Sequence, residues 1–243
     1  MIEDPAVLLL SVVAQNVVLI VLTVGLFWAG VFVARRLGAG AGYSLRGLGI
    51  SRPKGGLVAA VGIGFLVGLG VVVGSLVIGG LSALVLESLG YSAENEAQQM
   101  LLGGLQGWVQ ESPLAAIGAA LLVIVLFGPA VEEFVFRGAI FGGLYRLGAF
   151  FSRRTGGGTE GSARFADRFS FLGAALLSSA VFAALHQSAV IFPAIFLLAV
   201  VLCLLYRRTG SLLSPFVAHA TFNSFTVLLI VLSAVGALPP GAS

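Results

Sequence analysis

The sequence has little charge and almost no cysteine. Charged residues make up only 9% of its 243 residues, whereas apolar residues make up 58%, and the mean hydropathy is +1.09. A soluble globular chain carries about a quarter charged residues, so an ordinary soluble protein is excluded. The single cysteine, Cys203, excludes an internal disulfide and any multi-cysteine metal or iron–sulfur site. It lies in the apolar run VVLCLLY, which is typical of a small core residue.

The net charge of +3 does not indicate a nucleic-acid partner. The lysines and arginines gather in loops beside apolar runs, where such residues set the orientation of a membrane protein. The partner that this pattern predicts is a lipid bilayer.

Long apolar runs are the main feature that is present. Several exceed the roughly 18 to 20 residues that cross a hydrocarbon core of about 30 Å. Because a bilayer leaves no water for unpaired backbone groups, and the runs lack the alternation of barrel strands, the spans are predicted to be helices. We predict an all-α, polytopic helical bundle that forms a single membrane domain over 1–243, with a motif-bearing core at 113–235. Six spans are predicted, and broken or re-entrant segments would raise that number to eight at most. The predicted spans are 6–34, 57–87, 113–151, 169–185, 190–206 and 212–235.

The basic residues support six crossings. If the crossings alternate, twelve of the thirteen basic residues lie on one side of the membrane: five in 35–54, five in 146–168 and two at 207–208. The charged residues on the opposite side are all acidic. The positive-inside rule then predicts that both termini lie outside, and we expect a multi-pass protein of a prokaryotic plasma membrane. The acidic start, MIEDP, favours a retained first span over a cleavable signal peptide.

Two polar segments lie between the predicted spans. The segment 91–107 is predicted to be either a short interfacial helix or a loop. The segment 146–168, which contains RRTGGGTEGS, is predicted to be a flexible loop.

The third apolar run contains three ionisable residues, Glu132, Glu133 and Arg137. One charged side chain near the hydrocarbon midplane costs about 2.5 to 3.5 kcal/mol on insertion scales, and such residues usually face the protein interior and mark a function. Glu133 and Arg137 lie four residues apart with the glutamate first, which favours an ion pair. Glu132, turned away by about 100°, is left as the freer carboxylate.

The same run is too long for one straight crossing. Gly128-Pro129 is therefore predicted to kink or break the helix. Both glutamates would then lie in the first turn of a new helical segment, where the helix dipole stabilises negative charge.

The only two histidines, His186 and His219, also lie in apolar segments. Phe182 lies one turn before His186, and Asn223 lies one turn after His219. Counted from the nearest arginine at about 1.5 Å per residue, Glu132, His186 and His219 lie roughly 21, 27 and 17 Å deep. The sequence therefore predicts one shared site built from three helices.

The stretches EEFVFRG, FAALH and HATFN carry the patterns EExxxR, FxxxH and HxxxN in this order. They resemble the CAAX-protease and bacteriocin-processing family of intramembrane endopeptidases, over about Pro129 to Phe225. The resemblance implies a set of roles: Glu132 is the base that activates a water together with His186, His219 and Asn223 stabilise the oxyanion, Glu133 and Arg137 hold the site together, and Phe182 supports it. An imidazole and a carboxamide are suitable donors for developing negative charge in a site that excludes water.

The same resemblance leaves a metal-dependent variant open, with zinc held by Glu132, His186 and His219. We favour the metal-free glutamic mechanism, in which the motif glutamate is free to act as a base, and we expect no cofactor. The substrate is expected to be a peptide or protein, either prenylated at a CAAX tail, bearing a leader, or embedded in the membrane. Nothing in the sequence chooses among these.

Other functions and structural roles compete with the peptidase. Intramembrane Glu, Arg and His residues are also natural in a proton-coupled transporter or channel, although no internal repeat is evident. An inactive membrane scaffold or immunity protein is a third class. Each motif taken singly also has a structural explanation. A pair such as Glu133 with Arg137 is more often a structural ion pair than a catalytic group, and a histidine such as His186 is more often an interfacial residue. His219 and Asn223 could simply join helices by hydrogen bonds. The peptidase is favoured because every histidine and every charged residue away from the ends of the spans belongs to one of the three motifs.

Overall fold

The computed structural model describes residues 4–36, 48–92, 96–155 and 160–238. Within these ranges the chain forms seven helices and no strand. The helices are α1 Pro5–Arg36, α2 Leu57–Ser88, α3 Glu96–Glu111, α4 113–155, α5 Glu160–Ala184, α6 Phe192–Thr209 and α7 Leu213–Ala234. All except α3 are long and apolar enough to cross a membrane. The predicted all-α bundle with six spans is confirmed.

The polar segments are more helical than predicted. Most of the segment 91–107, for which both a helix and a loop were open, belongs to α3. The predicted flexible loop at 146–168 is wrong for its described part, because α4 continues to Thr155 and α5 begins at Glu160. The residues 37–47, 93–95 and 156–159 of the predicted loops lie outside the described residues, as do residues 1–3 of the acidic start.

Side-chain contacts explain why these polar helix ends form. Arg164 pairs with Glu160 one turn earlier at 3.1 Å, which supports the first turns of α5. Asp167 accepts hydrogen bonds from Tyr145 of α4 and from Arg207 of α6. The ends of three helices are thus tied together beyond their apolar parts.

The third span is helical throughout 113–155, so the predicted break at Gly128-Pro129 is absent, and the predicted kink stays a prediction. The backbone keeps right-handed helical dihedrals at Gly128 (φ −53°, ψ −60°). It changes instead to the wider π-helical hydrogen bonding over Leu121–Phe127, the first π segment, and Glu133–Phe141, the second π segment. In an α-helix a proline ring collides with the carbonyl four residues earlier, and the wider turn before Pro129 accommodates that ring.

This continuity also changes the surroundings expected for the two glutamates. Glu132 ends the short α-helical segment Gly128–Glu132, and Glu133 begins the second π segment. Neither residue lies at the start of a helix, so the predicted help from a helix dipole does not apply. Glu133 instead pairs with Arg137 of the same helix, and His219 of α7 lies between the two glutamates.

Helices α2 and α7 pack at backbone distance. A β-carbon added at Gly64 would lie 2.7 Å from the carbonyl oxygen of Ser214, and one at Gly68 would lie 2.8 Å from that of Ala218. Only glycine fits such a contact, as is common where membrane helices approach closely. The contact fixes α7, which carries His219, against α2.

The motif-bearing helices meet in a buried core around the second π segment. Its residues come from α4, α5 and α6, and Leu19 and Ile20 of α1 pack against it. The buried members are Val131, Val135, Phe136, Phe182, Ala183, Ile195 and Ala199. Helix α1 is therefore docked beside the segment that carries Glu132.

Candidate active site

Glu133 and Arg137 form a buried ion pair one turn apart in α4. Arg137 Nη1 lies 3.0 Å from Glu133 Oε1, and each side chain is only 1% exposed. This contact has the distance of an ion pair without the alignment of a hydrogen bond. The guanidinium also donates from Nη2 to the carbonyl oxygen of Ala199 at 3.4 Å and lies 4.6 Å from the ring centroid of Phe182. A buried charge needs such partners, because an unpaired one is strongly destabilising.

His219 contacts both glutamates. Its Nδ1 lies 2.8 Å from Glu133 Oε1, and its Nε2 lies 3.6 Å from Glu132 Oε2. Since an ionised carboxylate can only accept, Nδ1 carries a proton and donates it to Glu133. That hydrogen bond aims Nε2 at Glu132.

The contact between His219 and Glu133 was missed by sequence reasoning. Helical spacing identified Arg137 as the partner of Glu133, but spacing within one helix contains no information about a residue 86 positions away. The available signal was the short list of intramembrane ionisable residues, all of which had to find partners.

Glu132 is the accessible carboxylate of the pair. Its side chain is 22% exposed, against 1% for Glu133. It lines a cavity of about 630 Å³, together with His186, Phe182 and Asn223. The cavity thus brings together residues of α4, of α7 and of the end of α5. The role of Glu132 as a base stays a prediction.

His186 lies in the turn that follows α5, since the helix ends at Ala184. Its Nδ1 lies 2.9 Å from the carbonyl oxygen of Phe182. A carbonyl can only accept, so Nδ1 carries a proton, and in the neutral ring Nε2 is an acceptor. In the described part of the chain Glu132 and His186 share the cavity wall without a direct hydrogen bond. A water between them is required if they act together.

Phe182 lies at the centre of the site. Its ring centroid is 5.0 Å from that of His186 and 5.8 Å from that of His219, and Arg137 lies over its face. The side chain is 1% exposed. One aromatic ring therefore packs against both imidazoles and the guanidinium, which fixes their relative positions.

Asn223 connects α7 to α4. Its Nδ2 donates to the carbonyl oxygen of Ile124 in the first π segment at 2.8 Å. The sequence predicted a donor for an oxyanion, whereas the structure shows one of its two amide protons bound to the backbone. The second proton is left for a ligand in the cavity that Asn223 lines.

A further polar residue lines the same cavity and belongs to none of the three motifs. Asn16 of α1 is 2% exposed. The only signal for it in the sequence was the polar pair Gln15-Asn16 within the apolar run 6–34.

The predicted zinc ligands do not form a metal site as they are arranged. Among the described residues no group of three His, Cys, Asp or Glu side chains is placed to hold a metal ion. A zinc site needs three or four protein ligands at about 2.0 to 2.2 Å for nitrogen and oxygen, and the Phe182 ring packs against both histidines. Glu132, His186 and His219 are therefore not placed as zinc ligands in this arrangement. The expectation of no cofactor stays a prediction, and no step below involves a metal.

Comparison with known proteins agrees with the motifs. Residues 114–225 match the family described as type II CAAX prenyl endopeptidase Rce1-like, and this range contains all three motifs. The candidate membrane peptidase YdiL of Bacillus subtilis (strain 168) is 26% identical over 140 residues, which cover 58% of this chain and 45% of that protein. The match thus spans less than half the length of the curated relative. No solved structure matches the chain. The family resemblance predicted from the motifs is confirmed.

Proposed function

Residues 114–225 match the Rce1-like family, and from this match we propose that the chain is an intramembrane endopeptidase that uses Glu132 as a general base. The observation that carries the proposal is the arrangement of the accessible Glu132 carboxylate, the His186 imidazole and the Asn223 carboxamide around a single cavity. Helix α4 supplies Glu132, α7 supplies Asn223, and the end of α5 supplies His186. The largely apolar lining suits a membrane-associated peptide, with a prenylated CAAX tail or a leader as the substrate types proposed.

The first step of the mechanism is activation of a water between Glu132 and His186. The water donates one hydrogen bond to the Glu132 carboxylate and one to Nε2 of His186, whose Nδ1 proton is committed to the carbonyl of Phe182. Glu132 takes a proton from this water as its oxygen attacks the carbonyl carbon of the substrate. The same carboxylic acid then gives that proton to the leaving amine when the C–N bond breaks.

The developing oxyanion is stabilised by the second amide proton of Asn223. Its Nδ2 is held in place by the hydrogen bond to Ile124, so the donor is oriented before the substrate arrives. His219 is only 3% exposed and lies between the two glutamates. This geometry supports a role in positioning Glu132 rather than in direct contact with the oxyanion.

The test is a comparison of peptide ends in membranes that carry the wild type, Glu132→Gln or a matched control. Glu160→Gln is that control, because Glu160 lies at the exposed start of α5, with its side chain 90% exposed in a surface ion pair. We expect new peptide ends with the wild type and the control and none with Glu132→Gln, at equal amounts of folded protein. The same new ends with Glu132→Gln would contradict the proposed base.

The orientation in the membrane is part of the same proposal. We propose that both termini lie outside, which the gathering of basic residues on one side and acidic residues on the other supports. Accessibility of single cysteines introduced at the two termini, measured with a membrane-impermeant thiol reagent on intact cells, tests this placement. Labelling only after cell lysis would contradict it.

A further inference from the structure

We propose that Asn16 of α1 positions the substrate by accepting a hydrogen bond from one of its backbone N–H groups. The inference rests on the proposed peptidase function and adds a residue that no motif contains. Asn16 also lies outside the segment 114–225 that matches the family.

The first observation is a buried acceptor without a partner. Nδ2 of Asn16 donates to the carbonyl oxygen of Val12 in its own helix at 2.9 Å. Because a carbonyl can only accept, this bond fixes which end of the amide is nitrogen and leaves Oδ1 as the other end. Oδ1 is fully buried and has no hydrogen-bond partner among the described residues. A buried acceptor left unpaired is unfavourable, so a donor is expected from whatever occupies the space beside it.

Asn16 itself lies at the catalytic cavity, and a turn of its amide would bring the covered Oδ1 to the cavity surface. Asn16 lines the cavity together with Glu132, His186 and Asn223. Helix α1 is held on both sides of Asn16, since Leu9 packs in a buried cluster with Leu105 and Ile230, and Leu19 packs against the core around the second π segment. Helix α1 therefore holds Asn16 at the wall of the cavity that carries the proposed base.

The cavity wall carries side-chain donors on Gln15, Ser75, Asn223 and Thr226, and none of them is bonded to Oδ1. The hydroxyl of Ser75, on the same wall, already donates to the carbonyl of Val72 at 2.8 Å. Asn223 uses one amide proton for Ile124. A peptide substrate has backbone N–H groups that can donate to Oδ1. Asn16 of α1 then supplies an acceptor, and Asn223 of α7 supplies a donor. These two amides can hold the N–H and the C=O of an extended substrate from opposite helices.

The test uses the full chain in detergent micelles and a quenched fluorescent peptide that spans a cleavage site found in the peptide-end comparison. Asn16→Leu keeps the approximate shape of the side chain and removes its polar atoms. We expect KM to rise about five- to tenfold with kcat changed less than about twofold, because a ground-state hydrogen bond to the substrate is lost. Ser11→Ala is the matched control, since Ser11 is an exposed residue of α1 that bonds only to Leu8 of its own helix.

Backbone methylation of the peptide separates a substrate contact from a structural role. Each N–H of the peptide is methylated in turn, and the loss of affinity is measured with the wild type and with Asn16→Leu. We expect one position at which methylation weakens binding to the wild type and has no further effect on Asn16→Leu. Asn16→Ala repeats the measurement in case the leucine variant does not accumulate.

Two outcomes would overturn the inference, and they differ. In the first, cleavage depends on Glu132, KM is unchanged in both Asn16 variants, and each methyl group has the same effect on the wild type and the variants. This result would show that Oδ1 binds only a resident water. The proposed peptidase would then stand without Asn16. If no cleavage depends on Glu132, the proposed function fails and the role of Asn16 fails with it.

Discussion

Nδ1 of His219 lies 2.8 Å from Oε1 of Glu133, 86 residues away in the chain. The same carboxylate oxygen lies 3.0 Å from Nη1 of Arg137. One buried oxygen thus balances the guanidinium and sets the orientation of the imidazole. Glu133 therefore has two functions: it pairs with Arg137, which stabilises the protein, and it orients His219 in the site. Substitutions can separate these two functions.

Arg137→Ala is expected to destabilise the protein. The substitution leaves Glu133 buried with His219 as its remaining partner, and breaking a buried ion pair costs about 3 to 5 kcal/mol. The free energy of unfolding should fall by about that amount. It is measured by titrating the protein in detergent micelles with SDS. Arg164→Ala, which breaks an exposed pair with Glu160, is the control and should leave unfolding unchanged. Equal stability of both variants would contradict the structural role of Arg137.

His186→Ala is expected to remove activity without unfolding the protein. His186 lies in a partly exposed turn, and its loss removes the acceptor that orients the attacking water, so kcat should fall by about 10²- to 10⁴-fold. The midpoint of thermal unfolding should stay close to that of the wild type. The neighbouring Gln187 adopts a positive φ of 51°, which asparagine tolerates, so Gln187→Asn is a control that should retain activity. A His186→Ala variant with normal kcat would remove His186 from the mechanism.

Gly68→Ala is expected to separate α2 from α7. The added β-carbon would meet the carbonyl oxygen of Ala218 at 2.8 Å and the β-carbon of Thr221 at 2.7 Å. Overpacking of this kind costs about 1 to 3 kcal/mol, and the shift of α7 should also lower activity through His219. Gly70→Ala is the control on the same helix, because nothing lies within 4 Å of its added β-carbon. Unfolding and cleavage rates of the two variants should differ clearly, and similar values would argue against the close approach.

Chelators are expected to leave activity unchanged. The predicted zinc ligands do not form a metal-binding group among the described residues, and Glu132 is needed as a free base in the proposed mechanism. The purified protein is treated with 1,10-phenanthroline, dialysed, and assayed for cleavage with and without added zinc. Loss of activity that zinc restores would show that the site rearranges around a metal.

The sequence allowed the spans to be predicted because their signal is strong and local. Apolar runs of sufficient length require helices in a bilayer, and all six spans are present with ends shifted by a few residues, except at the start of α5. The start of α5 was missed because hydropathy detects only the apolar part of a helix. Its first turns carry Glu160, Arg164 and Asp167, so hydropathy ended the predicted span where the helix continues beyond its apolar part.

The sequence predicted which residues form the site better than it predicted the contacts between them. Spacing identified the pair of Glu133 with Arg137 and placed Glu132 on another side of the helix. The partners of His219 and Asn223 come from distant parts of the chain, and these depend on packing that spacing does not describe. The two π segments around Pro129 were also beyond prediction, because proline in a helix can produce a break, a kink or a wider turn.

The walls of the cavity differ in how firmly they are held. Helix α7 is wedged between the glycines of α2 and the backbone of α4, whereas α1 is the least buried of the six spans, at 11% against 22 to 44% for the others. We therefore expect bulkier or slimmer substrates to be accommodated by adjustment of α1 while the proposed reacting groups keep their spacing. Exchanging α1 between relatives is accordingly expected to transfer substrate preference while the rate of bond cleavage is conserved.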